Sequence, residues 1–107
     1  MKLIVAIVNY DDSNSVTQAL SKNGFSSTRL STTGGFLLAG NVTLLIGVEE
    51  DQVQAAIDLI RERSHSRKQM VPALTERSYG FMPVMPVEVT VGGATVFVLD
   101  VERFERL

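Results

Sequence analysis

Phe25 to Val48 reads F-S-S-T-R-L-S-T-T-G-G-F-L-L-A-G-N-V-T-L-L-I-G-V. Two β-prone runs flank a Gly-rich segment, and no helical repeat lies between them. Phe25 to Leu30 is predicted as a strand that is polar in parts, with Ser26, Thr28 and Arg29 as its exposed positions. Val42 to Val48 is predicted as the next strand. Its oddity is Gly47, which weakens a strand unless something must approach the backbone there. The connection, Ser31 to Asn41, carries Thr32, Thr33, Gly34, Gly35, Phe36, Gly40 and Asn41. A simple turn does not require that mixture.

Outward on the N-terminal side, Lys2 to Val8 is a β-branched run of the kind found in central strands. Asp11, Asp12 and Ser13 supply N-cap chemistry, Val16, Ala19 and Leu20 recur at helical spacing, and Asn23-Gly24 closes the segment. A helix over 13–23 is predicted. On the C-terminal side, Glu49, Glu50 and Asp51 place negative charge at the start of a second helix. That helix would bury Val53, Ala56, Ile57 and Ile60. Ser64 to Met85 shows no clear periodicity and is long for a connection. Val87 to Val91 and Ala94 to Leu99 flank Gly92-Gly93, which predicts a β-hairpin. Val101 to Leu107 is expected as a short tail around Phe104. The order is β-α-β-β-α-β plus a further C-terminal hairpin strand, a ferredoxin-like α+β subunit with both helices on one face of the sheet. The other face, also apolar, predicts a homo-oligomer.

Composition sets bounds. With 107 residues, 45% hydrophobic and 21% charged, the chain is expected as a single domain, 1–107. Ten basic against twelve acidic residues give a net charge of −2, which argues against nucleic acid or an anionic membrane as partner. There is no cysteine, so disulfides and thiolate metal sites are excluded. The apolar run at the start is short for a signal or a membrane span, which predicts a cytoplasmic protein.

The chemistry concentrates in 31–41. Glycines let successive N–H groups converge on an anion, and the Thr32 and Thr33 hydroxyls beside Gly34 add donors. Phe36 offers a face for a base, and Asn41 has the donor–acceptor pair that reads adenine. These features suit an adenine nucleotide or a phosphodiester. The competing reading is a plain connection with Phe36 in the core and Asn41 in a turn. No Gly-Lys-Ser/Thr follows, so the segment is not a Walker A loop, and its setting is not that of a dinucleotide fingerprint. His65, the one histidine, has no nucleophile partner pattern and is read as a solvated or capping residue. Glu49 to Asp51 is read as helix-start charge rather than a metal site. The run Arg61 to Lys68, with Arg77, is read as a solvated helix end.

Three segments, M-K-L-I-V-A-I-V, L-S-T-T-G-G-F-L-L-A-G-N and P-V-E-V-T-V-G-G-A-T-V-F-V-L, closely resemble the PII-like cyclic di-AMP receptors. The resemblance covers nearly the whole chain. It implies a PII-like homotrimer of ferredoxin-like subunits with nucleotide sites in the clefts between neighbours. It also implies a signal receptor and not an enzyme, with cyclic di-AMP as ligand, no cofactor, and a downstream protein partner of unknown identity. Thr28, Gly35, Phe36, Leu37, Asn41 and Gly47 stand where the family places ligand contacts. Gly24 and Ser26 stand where asparagine and arginine are often used at the ligand, Leu38 where an arginine is common, and Arg106 where a ligand-contacting glutamine occurs. A serine supplies no guanidinium to stack or fork. Losing one charge-assisted contact costs roughly 1.5–3 kcal/mol, about ten- to a hundred-fold in affinity. The alternative expectation is therefore an interaction trimer that binds another adenine nucleotide or no ligand.

Overall fold

The computed structural model describes residues 1–30, 40–72 and 86–107. Six strands and two helices follow in order: β1 (Lys2–Asn9), α1 (Tyr10–Lys22), β2 (Ser27–Leu30), β3 (Asn41–Val48), α2 (Val53–Ser64), β4 (Arg67–Pro72), β5 (Pro86–Val91) and β6 (Ala94–Asp100). A four-stranded antiparallel sheet has the order β2-β3-β1-β6, and β4 pairs only with β5 in a separate two-stranded ribbon. The large sheet with its two helices is the ferredoxin-like α+β arrangement expected from the element order. The ribbon is inserted between α2 and β6. No helix among the described residues is long and apolar enough to cross a membrane.

Period-two alternation explains the layering. Ile4, Ala6 and Val8 of β1 are buried, as are Val42, Leu44, Ile46 and Val48 of β3. They form one cluster with Val16 and Leu20 of α1 and Ala56 and Ile60 of α2. Both helices therefore lie on the same face, and they also pack on each other. Leu44 is fully buried in this cluster, and truncating such a residue to alanine costs about 2–5 kcal/mol.

No described element covers the opposite face. Leu3, Val5 and Ile7 of β1 alternate with the buried set and are only half-buried. The register sets Val5 beside Leu45 and Phe97, and Leu3 beside Gly47 and Leu99. Phe97 is 53% exposed and Leu99 49% exposed.

Several expectations are corrected. Val87–Leu99 is not a hairpin, because Val91 pairs with Arg67 and Ala94 pairs with Val8. Gly92 and Gly93 do take positive φ, both +81°. They use it to carry the chain from the ribbon into the main sheet. The alternating apolar run of β6 finds a longer partner in β1, with seven residue pairs in register. The segment 64–85 is not wholly irregular, since it contains β4; residues 73–85 lie outside the described residues. Helix α1 starts at Tyr10 rather than Ser13 because Asn9 is its cap, its side-chain oxygen accepting from the Asp11 amide. Asp11 and Asp12 then occupy the first turn, where negative charge suits the helix dipole. The second strand begins at Ser27, and Phe25 instead packs partly buried against the core.

Candidate functional site

Strand β3 carries two of the predicted contacts at its ends. Asn41 opens it, paired with Asn9 of β1, and Gly47 stands near its close, paired with Leu3. Both lie on the uncovered face and both are exposed. Six residues of strand rise separate them by about 20 Å. Thr28, exposed on β2, is opposite Leu45 and so belongs to the Gly47 end. Ser26, also exposed, immediately precedes β2 at that same end.

The Gly47 end is open. A Cβ added at Gly47 would meet only the Met1 side chain, at 3.9 Å. Nothing among the described residues therefore crowds its backbone. Gly24 has a different explanation. With φ +84° it follows the C-cap Asn23, a position that ends helices in the left-handed region. It helps line a shallow depression with Thr17, Ser21, Phe25 and Ser26 beside the end of α1. Arg29 cannot replace the guanidinium that Ser26 lacks. It lies on the helix side of the sheet, where its Nη2 donates to Ser13 Oγ at 2.7 Å and to Asn14 Oδ1 at 3.1 Å.

The Asn41 end is tied to α1. The Tyr10 amide donates to the Gly40 carbonyl at 2.5 Å, and Asn9, Tyr10, Asp11 and Gly40 line a cavity there. Thr32, Thr33, Gly34, Gly35, Phe36, Leu37 and Leu38 lie outside the described residues. Arg106 is exposed in the tail 101–107, which forms no regular element.

The structure thus groups Thr28, Ser26 and Gly47 at one end of the uncovered face and Asn41 at the other. Three side chains of the basic run are paired, and Arg77 lies outside the described residues. Arg61 donates to Asp58 at 3.2 Å, and Lys68 pairs with Glu88 across the ribbon at 3.2 Å. Arg67 forks onto Asp12 at 3.0 and 3.3 Å. The Asp12 hydrogen bond, and then its charge, hold the Arg67 guanidinium above its ordinary pKa. Lys2 and Asp100 likewise pair across the ends of β1 and β6, their hydrogen bond raising the lysine and lowering the carboxyl.

The model of the family described as "Cyclic-di-AMP receptor" matches residues 1–107, the whole chain. The chain belongs to the cyclic-di-AMP receptor family. A solved structure from Pediococcus pentosaceus ATCC 25745, described as a functionally unknown protein, is 40% identical. The match covers 99% of this chain and 96% of that one, with a TM-score of 0.75.

Two features of this receptor-family chain escaped the sequence reading. Phe97 stands exposed on the same face as Thr28 and Gly47, a placement that the alternation Thr95, Phe97, Leu99 foreshadows. The Asp12–Arg67 pair joins residues 55 positions apart, and no local pattern announces it.

Proposed function

We propose that the chain is a signal receptor for cyclic di-AMP that works as a PII-like homotrimer, with one nucleotide in each cleft between neighbouring copies. The observation that carries this reading is the division of the site. Along β3, Asn41 lies about 20 Å from Gly47 and about 13 Å from the row of Thr28, which is nearer the Gly47 side. In a rotationally symmetric assembly the Asn41 end of one copy meets the Thr28–Gly47 end of the next. The half-buried Val5 and Leu45 and the exposed Phe97 and Leu99 supply the surface that such an assembly buries.

In that cleft a purine lies against the open backbone at Gly47. Asn41 reads the base edge, and Phe36 stacks on the ring. Thr28, Gly35 and Leu37 complete the contacts, with Thr32, Thr33 and Gly34 offering donors to the phosphodiester. Gly24, Ser26 and Arg106 stand at the margin. The nucleotide makes contacts available only in the bound state, and this changes the affinity for a downstream protein. The role is signalling rather than catalysis, in the cytoplasm where a soluble second messenger is met.

Isothermal titration with cyclic di-AMP, cyclic di-GMP, ATP and AMP tests the reading, with the strongest heat expected for cyclic di-AMP. No heat with any of the four, up to about millimolar concentration, overturns it. A second reading is favoured by Ser26 and by the inward turn of Arg29. In it the trimer binds another adenine nucleotide, or binds its protein partner constitutively. Tighter binding of ATP or AMP, or a pulldown independent of nucleotide, would select it.

A further inference from the structure

The cap and first turn of α1 hold two separate parts of the molecule. On one side, the Tyr10 amide donates to Gly40, and Asn9, the helix cap, is paired with Asn41. On the other side, the Asp12 carboxylate accepts both arms of the Arg67 guanidinium, and Arg67 Nη1 also donates to the His65 carbonyl at 3.4 Å. Arg67 is the first residue of β4, paired with Val91, the last of β5. The fork therefore sits at the root of the ribbon. Gly92 closes against it: an added Cβ would stand 2.5 Å from Arg67 Nη1 and 2.8 Å from the His65 carbonyl oxygen. The Gly93 amide donates to the Ser64 carbonyl at the same place.

A two-bond fork fixes the plane of the guanidinium as well as its distance. The Asp12 side chain is only 10% exposed, so water and salt screen the pair less than an open surface pair. Among the described residues it adds a side-chain tie to the two short connections between ribbon and body, one of them a glycine pair.

We propose that the first turn of α1 is a relay that links nucleotide occupancy at the Gly40–Asn41 end to the orientation of the β4–β5 ribbon, with Asp12 and Arg67 as positioning residues. The proposal rests on the functional reading above. A nucleotide held at Asn41 fixes the neighbouring Gly40 carbonyl and the Tyr10 amide bonded to it. The helical turn passes that constraint two residues on, to Asp12. The Arg67 fork then transmits it to the ribbon root.

Hydrogen exchange with mass spectrometry on the full chain tests this in two arms, using Asp12→Asn and, from the exposed side of the pair, Arg67→Gln. Without nucleotide, both variants should speed exchange of the root amides, 65–68 and 91–93, about tenfold, and leave β1 and β3 amides at wild-type rates. With cyclic di-AMP, wild-type root amides should slow further. In Asp12→Asn they should stay fast, although titration shows affinity within about threefold of wild type. Wild-type root exchange in both variants without nucleotide overturns the clamp. Root slowing by nucleotide in Asp12→Asn, equal to that in wild type, overturns the relay alone. If wild-type chain binds no nucleotide, the functional reading and the relay fall together, and the first arm still decides the clamp. Faster exchange in β1 and β3 of Asp12→Asn marks a folding defect, in which case Arg67→Gln decides.

Discussion

At Gly92 two requirements coincide, a φ of +81° and a Cβ position already occupied by the Arg67–His65 contact. Gly24 shares only the first, since its φ is +84° and a Cβ there meets nothing within 4 Å. Gly24→Ala should therefore cost about 1 kcal/mol from backbone strain alone, and Gly92→Ala about 2–3 kcal/mol, with thermal or urea unfolding as the measurement. Equal costs at the two sites would show that the crowding at Gly92 relaxes freely. Among the proposed contacts, Phe36→Ala and Asn41→Ala should abolish titration heat with cyclic di-AMP while sedimentation still shows the wild-type oligomer. Normal binding by either variant removes that residue from the site. Ser26→Arg restores a guanidinium beside Thr28 and Gly47. It should raise affinity about ten- to a hundred-fold, the reverse of losing a charge-assisted contact. Unchanged affinity would mean that position 26 does not face the ligand.

The elements show what a sequence reveals locally and what it withholds. The burial of Ile4, Ala6 and Val8 and of Val42, Leu44 and Ile46 follows from alternation, a property of each strand by itself. The buried Ala56 and Ile60 follow in the same way from helical spacing. Strand partnership is different, because it is settled by competition between distant segments. Gly92-Gly93 has the residues of a two-residue hairpin turn, yet β5 prefers Arg67–Pro72 and β6 prefers β1. The apolar content of 94–99 suits a place beside a central strand, and that preference outweighs local turn chemistry. The spacing of the proposed contacts was equally hidden, since Thr28 and Asn41 lie 13 positions apart in sequence but fall on different strands, in rows four residues apart along β3. The start of α1 was misplaced because Asn9 closes a strand and caps a helix at once. Asn9→Ala should cost about 1 kcal/mol in urea unfolding, within the range for lost caps. A change near zero would assign the capping to another group.

For the whole molecule, the uncovered face is the determining surface. Its row Thr28, Leu45, Val5, Phe97 crosses all four strands, and the exposed phenylalanine sits on an edge strand. Phe97→Lys puts a charge into that surface and should convert the proposed trimer to monomer in sedimentation velocity at micromolar concentration, with far-ultraviolet dichroism unchanged. A trimer that survives the substitution would place the interface elsewhere. The ribbon adds a consequence of another kind. It departs from the body at Arg67 and returns at Val91, neighbours in register, so the chain enters and leaves through one doorway. Among the described residues, none of the buried core cluster belongs to it. Evolution can therefore lengthen, shorten or exchange this limb without renegotiating the fold that carries it. The body is the inherited chassis, and the limb is the part free to diverge with the company each receptor keeps.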